Sequence, residues 1–151
     1  MDKYVIEGGN KLIGSVDVQS AKNSVLPLLA ASILTDKRVT IREAPNISDV
    51  ACMAQILREL GASVRFSGGN VTIDSANACC HEIPSSLTRE LRSSVFMLGS
   101  LLSRFGRALI AYPGGCDIGL RPIDLHLSAL KRLGVNISER DGFIFCECAK
   151  L

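Results

Sequence analysis

Hydrophobic residues recur with two different spacings along the chain, and the change between them predicts where strands give way to helices. Residues 3–18 (KYVIEGGNKLIGSVDV) alternate apolar and polar positions around a Gly-Gly-Asn turn, which predicts two short strands. Residues 25–34 (VLPLLAASIL) are almost wholly apolar and predict a helix, with Ser20 as a possible N-cap. Pro27 fits that helix only in its first turns. The apolar circumference also predicts burial on every side.

A strand, an amphipathic helix and a hairpin are predicted next. Residues 38–45 (RVTIREAP) favour a strand that is closed by a proline. The pattern of residues 47–61 (ISDVACMAQILRELG) predicts a helix with Ser48 as its cap and a glycine beyond its end. Residues 62–75 (ASVRFSGGNVTIDS) alternate on both sides of Gly68-Gly69, which is typical of a hairpin.

The same series of elements returns later in the chain. The patterns predict a helix over residues 92–106, a strand over 107–113, a helix over 121–134 and a hairpin over 135–147 that turns at an Asp-Gly pair. When the two hairpin regions are superposed, the matched pairs are Leu57 and Leu130, Leu60 and Leu133, Gly61 and Gly134, and Gly69 and Gly142. We therefore predict an α/β fold built from a repeated unit of about 70 residues.

Two such units are expected to be only part of a complete fold. An apolar helix in each unit would stay partly uncovered with so few neighbours. The chain ends on Ala149-Lys150-Leu151, directly after a predicted strand and without a terminal element. We expect the sequence to belong to a longer protein.

Composition and charge exclude several classes of function. The formal charge is only +2 and aromatic residues make up 5% of the chain, which argues against nucleic-acid binding. The longest apolar stretch has about ten residues, too few to cross a membrane, and no signal peptide is visible. We therefore expect a soluble, cytoplasmic protein.

The cysteines have no spacing that indicates a metal site. The chain has six of them and no C-x-x-C pair. In a reducing compartment disulfides are not expected, and no histidine stands at zinc spacing from a cysteine. We predict no metal and no cofactor. The cysteines are Cys52, Cys79, Cys80, Cys116, Cys146 and Cys148.

One cysteine stands in an unusual setting, the stretch AYPGGCDIGLRPIDLHLSALKRLG of residues 111–134. Glycines around Cys116 let the backbone approach a ligand, and nearby positive charge favours the reactive thiolate. Pro122 suits the first position of the following helix, which would place Arg121 at the positive helix end, ready for an anion. A glycine-rich turn with an incidental cysteine is the alternative interpretation.

Two cations, Lys22 and Arg92, occupy matching places in the repeat. Each stands at the N-terminal end of a largely apolar helix, where a cation is unfavourable without an anionic partner. Anion binding and simple solvation of a helix end both explain the pattern. His126 is expected to be a surface or packing residue, and Asp124 could simply complement its helix dipole.

Three stretches of the chain together resemble a known family of enzymes. They are AKNSVLPLLAASIL, LRSSVFMLGSLLSRFG and PGGCDIGLRPIDLHLSALKRLG, and the similarity runs in order from Met1 to Leu151. The family is that of the UDP-N-acetylglucosamine 1-carboxyvinyltransferases, which are enolpyruvyl transferases. The resemblance implies an inside-out α/β barrel fold with three repeat units in each of two domains. It assigns residues 1–21, as strands, to the other domain and residues 22–151 to the first two units of the catalytic-loop domain.

The resemblance also implies an activity and a set of site residues. The family transfers the enolpyruvyl group of phosphoenolpyruvate to the 3-hydroxyl of UDP-N-acetylglucosamine and releases phosphate, the first committed step of peptidoglycan synthesis. Cys116 matches the catalytic proton donor. The matches for phosphoenolpyruvate binding are Lys22, Asn23 and Arg121. The matches for binding of the nucleotide sugar are Asn23, Arg92, Arg121, Pro122, Ile123, Asp124 and Leu125.

The larger part of the family's length has no counterpart in these 151 residues. The resemblance therefore implies that this chain alone is inactive and needs the remainder of the protein to complete the site. Two alternatives stand beside it, another member of the same superfamily and a repeat-built interaction module with an exposed apolar face.

Overall fold

Two successive segments of the chain fold with the same order of elements. The computed structural model describes residues 3–114 and 122–151. Its helices are α1 (Lys22–Ala31), α2 (Ser48–Glu59), α3 (Ser85–Glu90), α4 (Phe96–Phe105) and α5 (Asp124–Arg132). Its strands are β1 (Val39–Ile41), β2 (Ser63–Ser67), β3 (Asn70–Asp74), β4 (Arg107–Ala111), β5 (Asn136–Arg140) and β6 (Phe143–Glu147). Short 3-10 turns, Ser32–Leu34 and Arg92–Val95, extend α1 and precede α4.

Each segment builds one antiparallel sheet with its last strand in the middle. The orders are β1-β3-β2 in the first half, residues 22–74, and β4-β6-β5 in the second half, residues 92–147. Both hairpins close through two residues with positive φ, 53° and 76° at Gly68-Gly69 and 51° and 79° at Asp141-Gly142. Two positive φ angles are the mark of the type I′ turn, whose twist matches that of the strands. Both predicted hairpins are confirmed.

The second helix of each half also ends in the same way. In α2 the amide of Gly61 donates to Arg58 O and that of Ala62 donates to Leu57 O. The amides of the matching residues after α5 donate to the matching carbonyls. This is the Schellman pattern, which needs a left-handed residue after the helix, and both glycines have positive φ.

One continuous core joins the halves. The side chains of α1, α2 and α4 interlock in it, among them Leu26, Leu29, Leu57, Leu98 and Leu101, all of them inaccessible to solvent. The described residues leave α1 partly uncovered, as expected of an apolar helix with only two repeat units around it. Leu28 and Leu34 are 54% and 53% exposed because α2 and α4 cover only the opposite side of α1.

Arg104 of α4 is the principal polar link between the halves. Its guanidinium donates to Ile33 O at 2.5 Å, to Thr35 O at 3.0 Å and to Ser75 O at 2.7 Å. These carbonyls follow α1 and β3, so a single cation satisfies three backbone acceptors beyond the ends of those two elements.

The segment between β3 and α3 crosses from the first half to the second. The amides of Cys79 and Cys80 donate to Leu60 O at the end of α2. Further along, the amide of Ile83 donates to Leu109 O, and Leu109 returns a hydrogen bond to His81 O. The segment therefore lies over the end of α2 and against the edge of β4.

The predicted N-terminal strands are absent from the described residues. Residues 3–20 carry no strand, and their apolar side chains are exposed, from 84% at Ile13 to 97% at Tyr4. A strand needs a neighbour to satisfy its backbone amides and carbonyls, and no described strand lies beside this segment.

Three predicted helix starts are shifted in the structure. Ala21, and not Ser20, occupies the N-cap of α1, while Ser48 is the first residue of α2 and makes no capping hydrogen bond. Pro122 lies two residues before α5 and not at its first helical position. Helix α3 was not predicted at all, because six residues are too few to establish a period. In the described part of the chain no helix has the length and apolarity required to cross a membrane.

Candidate functional site

The connection from β4 to α5 carries four of the nine predicted site residues, among them the proposed proton donor. It comprises residues 112–123, and the structure describes residues 112–114 and 122–123 of it. Cys116 and Arg121 lie outside the described residues. The two described ends border a cavity of about 400 Å³.

Three predicted residues line this cavity together, namely Pro122, Ile123 and Asp124. The remaining wall is contributed by the start of the connection, α5 and β5, through Tyr112, Leu127, Ser128, Lys131 and Glu139. We call it the β4–α5 cavity. The hydroxyl of Tyr112 donates a hydrogen bond to the carboxylate of Glu139. Amine, carboxylate and hydroxyl groups thus stand around one opening, which suits a polar ligand. Leu125 is placed differently, on α5 with 81% of its side chain exposed.

The N-terminal end of the connection rests on α3. A side-chain carbon at Gly114 would overlap the backbone carbonyl of Arg89, so only glycine allows this close approach. Arg89 lies three residues before Arg92, which is half-buried at the start of its 3-10 turn. Within residues 3–114 and 122–151, the Arg92 guanidinium makes no ion pair and no hydrogen bond. The start of the cysteine-containing stretch therefore lies against the unpredicted helix α3, at a residue three positions before Arg92.

Lys22 has an anionic partner within the chain. Lys22 is the first residue of α1, and its Nζ lies 2.5 Å from Oδ1 of Asp49 in the first turn of α2. The two side chains are 48% and 27% exposed. Sequence reasoning missed Asp49, although an acid near a helix N-terminus is a common signal, because nothing local indicates which distant cation it meets. Asn23 is exposed beside Lys22.

The predicted residues thus form separate groups in the described structure. Pro122, Ile123 and Asp124 meet at the β4–α5 cavity. Among the described residues, no hydrogen bond or ion pair joins Lys22 or Asn23 to that cavity or to Arg92.

The first half has a cavity in the corresponding place. It measures about 430 Å³ and lies between the start of α2 and the β2–β3 hairpin. Ile47 and Ile123 are the N-cap residues of α2 and α5, and Phe66 is the counterpart of Glu139 in the superposed repeat. Its lining has no charged side chain; it consists of Ala44, Pro45, Asn46, Ile47, Val50, Ala51 and residues 66–70. We call it the β1–α2 cavity.

His126 behaves as a packing residue. Burial lowers its pKa, and its Nε2 is buried without a hydrogen-bond partner in the described part of the chain. A neutral imidazole is the consequence, because the charged form would lose hydration without any compensating acceptor.

Two other cysteines have thiols of low reactivity. Burial raises the pKa of Cys52 to about 11, with smaller contributions from the negative charges of Glu90 and Asp49. Burial also raises the pKa of Cys146 to about 11. Thiolate is the reactive form, so both side chains are poor nucleophiles near neutral pH. The described residues contain no cluster of three or more His, Cys, Asp or Glu side chains suited to a metal ion.

Comparison with known sequences finds carboxyvinyltransferases, both as a family and as individual relatives. Residues 6–149 match the family described as EPSP synthase (3-phosphoshikimate 1-carboxyvinyltransferase). Over 97% of its length the chain is 48% identical to UDP-N-acetylglucosamine 1-carboxyvinyltransferase 2 of Caldanaerobacter subterraneus subsp. tengcongensis. It is 44% identical over its whole length to UDP-N-acetylglucosamine 1-carboxyvinyltransferase 1 of Clostridium acetobutylicum. The chain spans 35% and 37% of the length of these two relatives.

Solved structures resemble the fold over nearly the whole chain. The enolpyruvyl transferase NikO from Streptomyces tendae superposes with a TM-score of 0.80 and 27% identity, covering 95% of this chain and 32% of NikO. EPSP synthase from Acinetobacter baumannii gives a TM-score of 0.62 at 16% identity, with 95% of this chain and 35% of that protein covered. The second similarity concerns the fold alone.

Proposed function

The chain belongs to the family of EPSP synthase (3-phosphoshikimate 1-carboxyvinyltransferase), and on this premise we propose that it carries part of the active site of an enolpyruvyl transferase acting on UDP-N-acetylglucosamine. Support for this substrate comes from the names of relatives that are 39–48% identical over nearly the whole chain. The chain spans little more than a third of those relatives, so the activity is proposed for the complete protein.

The proposed reaction moves the enolpyruvyl group of phosphoenolpyruvate to the 3-hydroxyl of UDP-N-acetylglucosamine and releases phosphate. Its substrates carry a carboxylate, a phosphate and a diphosphate, and such groups call for several fixed cations. Protonation of the methylene carbon calls for an acid placed beside it. In this proposal the protein acts in the cytoplasm, at the first committed step of peptidoglycan synthesis, and is a target of the epoxide fosfomycin.

We assign the proton donor to Cys116, phosphoenolpyruvate to Lys22, Asn23 and Arg121, and the nucleotide sugar to a wider group. That group comprises Asn23, Arg92, Arg121, Pro122, Ile123, Asp124 and Leu125. The observation that carries the assignment is the β4–α5 cavity, because residues 122–124 line it and directly continue the stretch PGGCDIGLR. The approach of Gly114 to Arg89, three residues from Arg92, supports the placement of the other end of that stretch.

The ion pair between Lys22 and Asp49 is compatible with substrate binding. With side chains 48% and 27% exposed, the pair contributes about 0–1 kcal/mol, the usual value for ion pairs in contact with water. A ligand with more negative charge than Asp49, such as one that carries both a phosphate and a carboxylate, can therefore take Lys22 without a large loss of free energy. In the proposal Asp49 holds the ammonium group in place until the ligand arrives.

The proposal extends to the architecture of the complete protein. We propose an inside-out α/β barrel in which residues 22–151 form two repeat units of one domain and residues 1–21 form strands of the other. The exposed apolar side chains of residues 4–18 and of Leu28 support this, because so many exposed apolar groups along one short segment are typical of a surface that meets a partner.

Binding of UDP-N-acetylglucosamine to the 151-residue chain tests the proposal. We expect chemical shift changes in amides around the β4–α5 cavity and none around the uncharged β1–α2 cavity, which serves as an internal control. Asp124→Asn should weaken binding, whereas Asn46→Ala, at the control cavity, should not. Equal changes at both cavities, or none at either, would contradict the assignment.

Covalent labelling tests the role of Cys116 separately. With UDP-N-acetylglucosamine and fosfomycin present, mass spectrometry should find one inhibitor adduct at Cys116. Labelling distributed over the other five cysteines would remove the special role. The chain alone should release no phosphate from the two substrates, because it spans only about a third of its relatives. Stable oligomers without affinity for the nucleotide sugar would favour an interaction module instead.

A further inference from the structure

Two adjacent thiols lie exposed on the segment that crosses between the halves. Cys79 and Cys80 follow β3, and both side chains are open to solvent. Their Sγ atoms are 4.0 Å apart, so neighbouring residues direct both sulfurs to the same side of the backbone. Neither cysteine has a role in the proposed enolpyruvyl transfer.

The backbone beneath the two thiols is held firmly. The amides of Cys79 and Cys80 donate to Leu60 O at 3.1 and 3.3 Å, and Ala78 N donates to Ser75 O at 3.0 Å. The segment also presses on Gly61, where an added side-chain carbon would lie 2.9 Å from Asn77 O. The backbone that carries the two sulfurs is therefore a fixed turn rather than a loose chain end.

The distance between the sulfurs decides what they can hold. A disulfide would need the sulfurs at about 2.05 Å, so each would have to move by roughly an ångström on an anchored backbone. Two bonds of about 2.3 Å, the length of a thiolate bond to a soft metal, place the sulfurs roughly 3.5 Å apart when both reach one central atom. The observed 4.0 Å is close to that second value. The spacing of the pair is therefore compatible with one atom bound between its sulfurs.

The number of protein ligands at the site limits which atom the two sulfurs can bind. Zinc in a structural site takes four protein ligands, and the described residues offer no cluster of three or more suitable side chains. A monosubstituted trivalent arsenic takes two sulfur ligands and keeps its organic group. We propose that Cys79 and Cys80 form a dithiol site that binds a trivalent organoarsenical as a cyclic dithioarsenite.

The binding step conserves atoms and needs no oxidant. An arsenoxide, R–As=O, forms two As–S bonds with the two thiols, and its oxygen leaves as water with the two thiol protons. Arsenic remains trivalent and both sulfurs keep their oxidation state. Cys80 enters as the neutral thiol, because its hydrogen bond with Cys79 raises its pKa.

No other described pair of cysteines is equally exposed to solvent. Cys146 and Cys148 lie near each other in sequence, on β6 and just beyond it, but they are 0% and 8% exposed. Cys52 is 7% exposed and has no cysteine next to it in sequence. These buried thiols provide matched controls.

Titration of the 151-residue chain with phenylarsine oxide tests the proposal. Mass spectrometry should show one adduct per chain that survives an excess of 2-mercaptoethanol and is removed by 1,2-ethanedithiol, because only a competing dithiol replaces both As–S bonds. Cys79→Ser and Cys80→Ser should each lower the apparent affinity at least tenfold. Cys52→Ser, Cys116→Ser and Cys146→Ser should leave it unchanged.

Two kinds of result would overturn the proposal. An adduct of undiminished affinity in the Cys79→Ser/Cys80→Ser double variant would overturn the proposal, as would loss of the adduct in Cys116→Ser or Cys146→Ser. A thermal melt of each variant checks folding, and the exposed positions of Cys79 and Cys80 predict little change. Failure here leaves the transferase proposal untouched, since that proposal depends on Cys116 and the nucleotide sugar.

Discussion

The two halves of the chain share a scaffold and differ where the first strand leads into the second helix. In the first half residues 42–47 make this connection, whereas in the second half residues 112–123 do so with twice the length. The flanking strands, helices, hairpin turns and helix ends correspond closely. The candidate chemistry is thus concentrated in an enlarged loop, while the repeated framework supplies its two anchor points.

The cavities next to these connections differ in the charge of the side chains that line them. The β1–α2 cavity presents Phe66, whereas the β4–α5 cavity presents Glu139 at the matching place and adds Lys131 and Asp124. The cations differ too, because Lys22 is paired with Asp49, while Arg92 has no ion pair among the described residues. One framework therefore supports an uncharged cavity and a charged one through a handful of side chains.

The largest expected effect is a loss in the free energy of unfolding, and it distinguishes two matched leucines. Leu60 and Leu133 occupy equivalent positions in the sequence repeat. Leu60 is fully buried and Leu133 is 65% exposed, because residues 79 and 80 cover the end of α2. Leu60→Ala should lower the free energy of unfolding by about 2–5 kcal/mol. Leu133→Ala should lower it by about 0.5 kcal/mol or less. Urea denaturation measures both, and similar losses would mean that the two helix ends are covered alike.

A second comparison uses the glycines that end α2 and α5. Gly61 and Gly134 have φ angles of 97° and 91°, so alanine is strained at either place by about 1–2 kcal/mol. Only at Gly61 would the new carbon also meet backbone, 2.9 Å from Asn77 O, whereas Gly134 has open space around it. Gly61→Ala should therefore melt at a lower temperature than Gly134→Ala. Equal melting temperatures would show that the covering segment moves aside at little cost.

Alkaline pH should affect the halves alike, through one buried thiol in each. The pKa values of Cys52 and Cys146 are raised from 9.0 to about 11 in the folded chain. Between pH 9 and 11 the unfolded chain therefore releases protons that the folded chain keeps, so stability falls as pH rises. Denaturation at pH 8 and pH 10 should show a smaller loss in Cys52→Ala and in Cys146→Ala than in the parent chain. An unchanged pH dependence in either variant would exclude its thiol as a cause.

The smallest effect is expected from the ion pair of the first half. Asp49→Asn should cost at most about 1 kcal/mol, since Lys22 and Asp49 are both in contact with water. A double-mutant cycle with Lys22→Met isolates the coupling, which should vanish at about 1 M salt because screening is then short-ranged. The control is Asp124→Asn, which removes no ion pair of the described structure. A salt-independent coupling would indicate a more buried pair than the one observed.

Sequence patterns predicted the features that depend on neighbouring residues. The hairpin turns follow from Gly68-Gly69 and Asp141-Gly142, since few other residues accept two consecutive positive φ angles. The end of α4 follows in the same way from Gly106, whose φ is 72°. The segment 122–124 of the candidate site comes from the resemblance to a known family and not from local pattern; it borders a cavity, and its binding role stays a prediction.

The features that depend on distant partners could not be predicted. Alternation in residues 3–18 indicates strands, but a strand forms only beside another strand, and none described here lies there. The pairing of Lys22 with Asp49 and the contact of Gly114 with Arg89 join residues far apart in sequence. Helix α3 is set by such contacts as well, because a helix of six residues has little stability of its own.

The three hydrogen bonds of Arg104 bear on how the chain loses its structure. The guanidinium belongs to α4 of the second half, whereas its acceptors, Ile33 O, Thr35 O and Ser75 O, belong to or directly follow the first half. If either half opened alone, a partly buried cation and three carbonyls would lose their partners together, a penalty beyond that of separating apolar surfaces. Duplicated units often behave as independent folding modules, but here Arg104 adds polar coupling to the core that the halves share, so we expect one cooperative transition in place of two.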